Sequence, residues 1–312
     1  MTAITERPAA GPATGPRRTS DRREGWRRRA PLMPALIFTI IVTQVPFLLT
    51  LYYSFQSWNL LRPGSRHFVG LSNYAAVIRD AEFRHALLIT VVMTVGSAII
   101  ALVIGTLLAL LLERKVVGRG VIRTLLISPF LIMPTAGGLL WKTTMFDPVY
   151  GLVNWVLQPF GVHHVDFVAQ FPLASVMTVM VWRWTPFMML IMLAGLQSQP
   201  TDVLEAARVD GARPFAAFRE VTLPHLRSYM ELGLLLGVIY IVGTFDEIYI
   251  MTQGGPGTST TNLPFYLYQR TFQGYDIGQA ASLGVATVIL TFIVMSIALR
   301  TVFRLFTETE GR

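Results

Sequence analysis

Six long apolar runs, at about 31–53, 86–112, 122–141, 173–197, 229–251 and 281–305, constrain this chain more than any other feature. Each is long enough to cross a hydrocarbon core about 30 Å thick as a helix, the third only just. Hydrocarbon offers no water to pair with backbone N–H and C=O groups, so a spanning segment must satisfy them internally as a helix. The expected fold class is all-α integral membrane with six transmembrane helices. Composition agrees: 14% of the residues are charged, against about 25% in an ordinary soluble domain. Cysteine is absent, which excludes disulfides, thiolate metal sites and a Cys nucleophile.

A net charge of +8 raises the question of nucleic acid. The placement of that charge argues otherwise. Eight Arg fall within residues 7–29, and most other basic residues flank the apolar runs, which is the pattern of membrane topology. With the N-terminus inside, the cytoplasmic pieces hold eight Lys or Arg in the tail, four in 113–123, four in 198–228 and three from Arg300 onward. The outer loops hold six: Arg62, Arg66, Arg79, Arg84, Lys142 and Arg270. The excess places both termini in the cytoplasm. The tail and first run together look like a signal peptide, but the run is too long for that and no small-residue cleavage pattern follows. The expected organisation is a disordered basic tail at 1–28, a six-span domain at 29–306 with a cytoplasmic loop at 200–228, and a short cytoplasmic tail at 307–312. The third run contains Pro129, Pro134, Gly137 and Gly138, so its helix is expected to kink or break, either as a packed bend or as a gate. Residues 150–160 place apolar side chains at helical spacing, with Tyr150 and Trp155 as anchors for an interfacial helix.

Between the fourth and fifth runs lies a polar island. Pro200 stops the preceding span and Thr201 is placed to cap the run from Asp202 to Val209. Gly211 supplies a left-handed turn. A second short helix is expected over 214–221, ending before Leu223-Pro224. Two short helices meeting at Gly211 make a knob in which Ala206 and Ala207 permit close approach and Glu205 presents a carboxylate. The alternative is an amphipathic helix lying on the membrane.

Glu205-Ala206-Ala207, Asp210-Gly211-Ala212, Phe218 and Leu223-Pro224 together resemble the EAA loop of ABC-importer permeases. Trp184-Thr185-Pro186-Phe187, Phe245-Asp246-Glu247-Ile248-Tyr249 and Gln253-Gly254-Gly255-Pro256-Gly257, continuing to Asn262-Leu263-Pro264, extend the likeness from about residue 31 to 306. The chain is similar to the first of the two permeases in carbohydrate-type, maltose-like importers. The runs at 196–200 and 275–281 resemble polyol permeases. The resemblance implies a type I ABC importer permease fold paired with a second homologous permease in the cytoplasmic membrane. It implies an ABC ATPase dimer that binds ATP and Mg and receives the loop at Glu205, Ala206, Ala207, Asp210, Gly211, Ala212, Phe218, Leu223 and Pro224. It also implies an extracytoplasmic substrate-binding protein and a carbohydrate or polyol substrate. No cofactor, metal or catalytic residue is implied in this chain. By alignment with the family, the substrate pathway is expected at Met180, Arg183, Trp184, Phe187 and Thr244. Tyr240 and Asp246 join them on position, Tyr240 lying one turn before Thr244.

A charge in mid-span is costly and faces a cavity or a partner. Arg183 is therefore read either as a ligand contact beside Trp184 and Phe187 or as half of an ion pair with Asp246 or Glu247. Two other functions were weighed. A membrane-embedded transferase needs clustered carboxylates at a membrane face, and the sequence offers one pair, Asp246-Glu247. A stand-alone transporter needs ion-relay residues in several spans and leaves the 205–224 segment unexplained. No Walker-type glycine loop occurs, so an ATPase must be a separate chain.

Overall fold

The computed structural model describes residues 30–62, 64, 66–113, 117–161 and 163–307, with side chains for all of these but 30, 294, 295 and 297–307. The tails expected at 1–28 and 307–312 lie outside the described residues, apart from Thr307. The chain divides into one unit ending at Thr50 and a second from Leu51 onward. In the first, helix α1 (Met33–Ser54) begins after a short 3-10 turn and runs on into the second. Its polar side chains need partners within the helix. The hydroxyls of Thr39, Thr43 and Thr50 each donate to the carbonyl four residues back, at 2.7–2.9 Å.

Among the described residues the second unit is mainly helical, with a small two-stranded ribbon formed by β1 (Gln56–Ser57) and β2 (His67–Phe68), paired antiparallel. Helix α2 (Ser72–Arg79) follows and leads at Asp80 into α3 (Ala81–Glu113). The third apolar run forms α4 (Arg119–Leu131) and α5 (Pro134–Leu140), extended by a π turn over Trp141–Met145. The two arms are bent by 102° at Ile132–Met133. The break falls directly before Pro134, whose ring disfavours a helical residue ahead of it. Outside this bend lie α6 (Leu152–Leu157) and α7 (Phe167–Gln170). On α6 and the turn after it, Leu152, Trp155, Val156 and Phe160 are exposed.

Helix α8 (Pro172–Ser198) is the centre of the core. It packs along α3, and the contact is close because Gly105 lacks a side chain. A Cβ there would lie 2.7 Å from the backbone nitrogen of Met189. Small residues at such crossings let helix backbones approach where lipid provides no hydrophobic drive. The buried methionines Met180, Met188, Met189 and Met192 fill this seam.

The polar island between the fourth and fifth runs follows as α9 (Thr201–Val209) and α10 (Pro214–Ala217). The structure corrects the expectation that a second short helix ends before Leu223. After α10 the chain makes one π turn, Phe218–Thr222, and continues into α11 (Leu223–Ile241). Pro224 has no N–H and its ring crowds the preceding turn, and the wider turn accommodates it. The fifth run also departs from expectation: it is not one helix. It breaks at 242–245 and resumes as α12 (Asp246–Met251). After a turn at 252–262 come α13 (Leu263–Tyr268), a π turn and the long α14 (Ile277–Thr307). By length and hydropathy, α1, α3 and α8 can each cross a membrane, and the bent pair can serve as a fourth span.

Candidate functional site: a cavity at a broken helix

The break in the fifth run leaves carbonyl groups without helical partners, which must be paired if the site is to hold its shape. Asn262 meets this need. Its Nδ2 donates to the carbonyl of Thr244, and its Oδ1 accepts from the backbone of Phe265 at 3.0 Å, capping α13. Thr90 on α3 accepts from the backbone of Leu263 at 2.8 Å. The turn at 252–262 is thereby tied both to the break and to the core. Thr252 and Thr260 close the turn on itself, their hydroxyls 2.7 Å apart.

The break opens beside α8 onto a cavity of about 540 Å³. Arg183, Trp184 and Phe187 reach it from α8, and Phe130 and Pro134 from the two sides of the bend. Tyr240, Gly243, Thr244, Phe245, Asp246 and Glu247 reach it from the broken fifth run. Trp184 stacks on Tyr240 at 5.7 Å between ring centroids and meets Phe130 and Phe187 edge-on. Phe130 stacks in turn on Phe187 at 5.6 Å. One side is therefore a continuous aromatic wall. The other is charged. Arg183 donates from Nη1 to Glu247, which is 2% exposed, and its guanidinium lies 5.9 Å from the Trp184 ring. Arg183 therefore forms the ion pair with Glu247, the second of the two partners named for it, and also lines the cavity. Asp246 accepts from the hydroxyl of Thr135 at 3.2 Å.

Six of the seven residues expected on the pathway meet at this one cavity. Met180 does not. It is 1% exposed and lies within the α3–α8 seam, its sulfur 4.0 Å from the Ser97 hydroxyl. It sits one turn before Trp184, where α3 covers α8. Residue reasoning did not find Phe130, Gly243 or Phe245 on the wall. The proline-rich third run marked a break, and that break turns Phe130 toward the cavity. The break at 242–245 carried no comparable signal.

The loop residues form a separate group. Glu205, Ala206, Asp210 and Gly211 are exposed, and Ala207, Ala212 and Phe218 are half-buried. Gly211 has φ +82°, as expected. Ala212 N–H donates to the Ala207 carbonyl at 2.9 Å and Gly211 N–H to that of Arg208 at 3.1 Å, the paired bonds of a Schellman end. Thr201 departs from its expected role. It is the first helical residue rather than the cap, and its hydroxyl meets Asp202 at 3.4 Å. Behind the knob, Ser198 lies 2.8 Å from the Tyr229 hydroxyl and 3.1 Å from His225 Nε2, joining the end of α8 to the start of α11.

Residues 69–308 match the model of the family described as the binding-protein-dependent transport system inner membrane component. The chain belongs to this family. A probable ABC transporter permease protein, y4oQ, of Sinorhizobium fredii is 37% identical over 88% of this chain and 88% of its own length. The trehalose/maltose transport system permease protein MalF of Thermococcus litoralis is 33% identical over 85% of this chain and 90% of its own. A chain in the crystal structure of a bacterial ABC transporter that imports alginate superposes with a TM-score of 0.76, at 22% identity, over 91% of this chain and 98% of its own. That likeness shows the fold to be that of an ABC importer permease, as expected.

Proposed function

We propose that this chain is the permease subunit of an ATP-driven importer for sugars or sugar alcohols, forming half of the translocation pathway. The observation that carries the reading is the convergence of α8 and the broken fifth run on one cavity with an aromatic wall and a polar edge. Aromatic faces suit the C–H face of a sugar ring, while Asp246, Thr244 and Tyr240 offer partners to its hydroxyls. The relatedness to a trehalose/maltose permease supports the same substrate class. Both termini face the cytoplasm in this reading, and the exposed knob at 201–222 docks in a separate ATPase dimer, which holds ATP and Mg. A second, homologous permease completes the pathway and an extracytoplasmic binding protein delivers the substrate.

Two substitutions test the docking claim. Glu205→Lys reverses the charge on the exposed knob. Gly211→Pro cannot adopt the positive φ of the turn. Each is expected to leave the protein in the membrane, by quantitation of a tag, and to abolish uptake of the radiolabelled sugar or polyol that the unaltered transporter accumulates. Undiminished uptake with either change would remove the basis for the docking claim.

A further inference from the structure

The cavity wall contains three charged side chains that do not balance. Arg183 is committed to Glu247, so that pair is neutral as a unit. Asp246, the next residue, lines the same cavity, and among the described residues no ion pair reaches it; its partner is the neutral hydroxyl of Thr135. The remaining wall is aromatic or uncharged. Lys142, on the π turn after α5, donates to the carbonyl of Ile250 at 3.0 Å and lines a different recess.

We propose that Asp246 makes this chain's side of the cavity net negative, so that it admits uncharged or cationic polyhydroxyl ligands and holds back acidic ones. The inference rests on the cavity being the pathway. Low-dielectric walls focus the field of a single fixed charge, and the effect on a like-charged solute is strongest where water is partly excluded. An anion would also have to draw Arg183 away from Glu247 to find a cation, which would leave a buried carboxylate uncompensated. A neutral sugar asks for neither. Asp246 can accept from its hydroxyl groups, and Trp184 and Tyr240 contribute contact area without charge.

The absence of cysteine gives a test that does not require the natural substrate. Gly243 lines the cavity, and a Cβ there meets only the Tyr240 carbonyl, at 3.8 Å, so Gly243→Cys places a single thiol on the wall. Tyr150→Cys, on an exposed outer position, serves as the reference. The full chain, purified in detergent with whatever subunits accompany it, is treated with a cationic and an anionic methanethiosulfonate of matched size, and labelling of this chain is followed by mass. The expected result is a cation-to-anion rate ratio at position 243 about tenfold or more above that at position 150, the order that one unpaired charge within several Å produces. Added salt should shrink it. Asp246→Asn should abolish it and Asp246→Glu should keep it. Equal or faster reaction with the anionic reagent at position 243 would overturn the charge claim and leave the pathway reading standing. No reaction with either reagent at position 243, with normal reaction at position 150, would overturn the pathway reading as well.

Discussion

Trp184 holds the aromatic wall together, since it alone touches Phe130, Phe187 and Tyr240. Trp184→Ala is expected to lower the uptake rate by about tenfold or more, a loss of about 1.4 kcal/mol or more of transition-state stabilisation, while the subunits still co-purify. Loss of co-purification instead would mark the residue as structural. Met180 shows why a helical face read from sequence can mislead. It shares a face with Trp184 by spacing, but which part of that face is open depends on where α3 crosses, and close approach there uses Gly96 and Gly105 on α3, not a feature readable on α8 alone. The run at 275–281, which carries the likeness to polyol permeases, is engaged in packing. The backbone N–H groups of Ile277 and Gly278 donate to the Trp58 carbonyl at 2.9 and 3.1 Å, and a Cβ on Gly278 would lie 2.0 Å from the Gln56 carbonyl oxygen.

At the scale of elements, the broken fifth run is the feature that sequence could not show. Its apolar pattern continues through 242–245, so periodicity alone reads a single helix. The reason for the break lies 18 residues on, where Asn262 supplies the donor that the Thr244 carbonyl lacks. Asn262→Ala leaves that carbonyl unpaired, at a cost of about 1–3 kcal/mol. A lowered melting temperature in detergent together with a raised apparent KM for uptake is expected, and an unchanged KM would show that the cavity does not depend on this bond. The bend at Pro134, by contrast, was legible because proline acts locally. A second tie holds the N-terminal end of α3. Asp80 accepts from the Tyr266 hydroxyl at 2.6 Å and from Arg270 at 2.7 Å, and the Glu82 amide donates to its other oxygen at 2.9 Å. Partial burial raises the Asp80 pKa, but these hydrogen bonds and the Arg270 charge more than offset it and leave the carboxyl below its usual range. A depressed carboxylate adds stability that is full above its unfolded pKa of about 3.9 and is lost as pH falls through the folded value. Thermal unfolding should therefore separate the unaltered protein from Asp80→Asn above about pH 4, and the gap should close at lower pH. A gap that persists undiminished in acid would contradict this role for the charge.

For the whole molecule, the membrane class and the 201–222 knob were both readable, for different reasons. Long apolar runs have few physical solutions, and the structure places helices over every one of them. The 201–222 knob is readable because its helix, glycine turn and helix are local, and Glu205, Ala206, Asp210 and Gly211 are exposed there. The cavity needed the fold, because it is assembled from two breaks and a crossing that lie far apart in the chain. Both regions bear on one claim, that this chain works as part of an ATP-driven complex. Affinity purification of the tagged chain from mildly solubilised native membranes tests it most directly. The account predicts a second multi-span permease and an ATPase in the eluate, with ATP hydrolysis that disappears when Glu205→Lys is purified in the same way. A stoichiometric oligomer of this chain alone, without any ATPase, would contradict it.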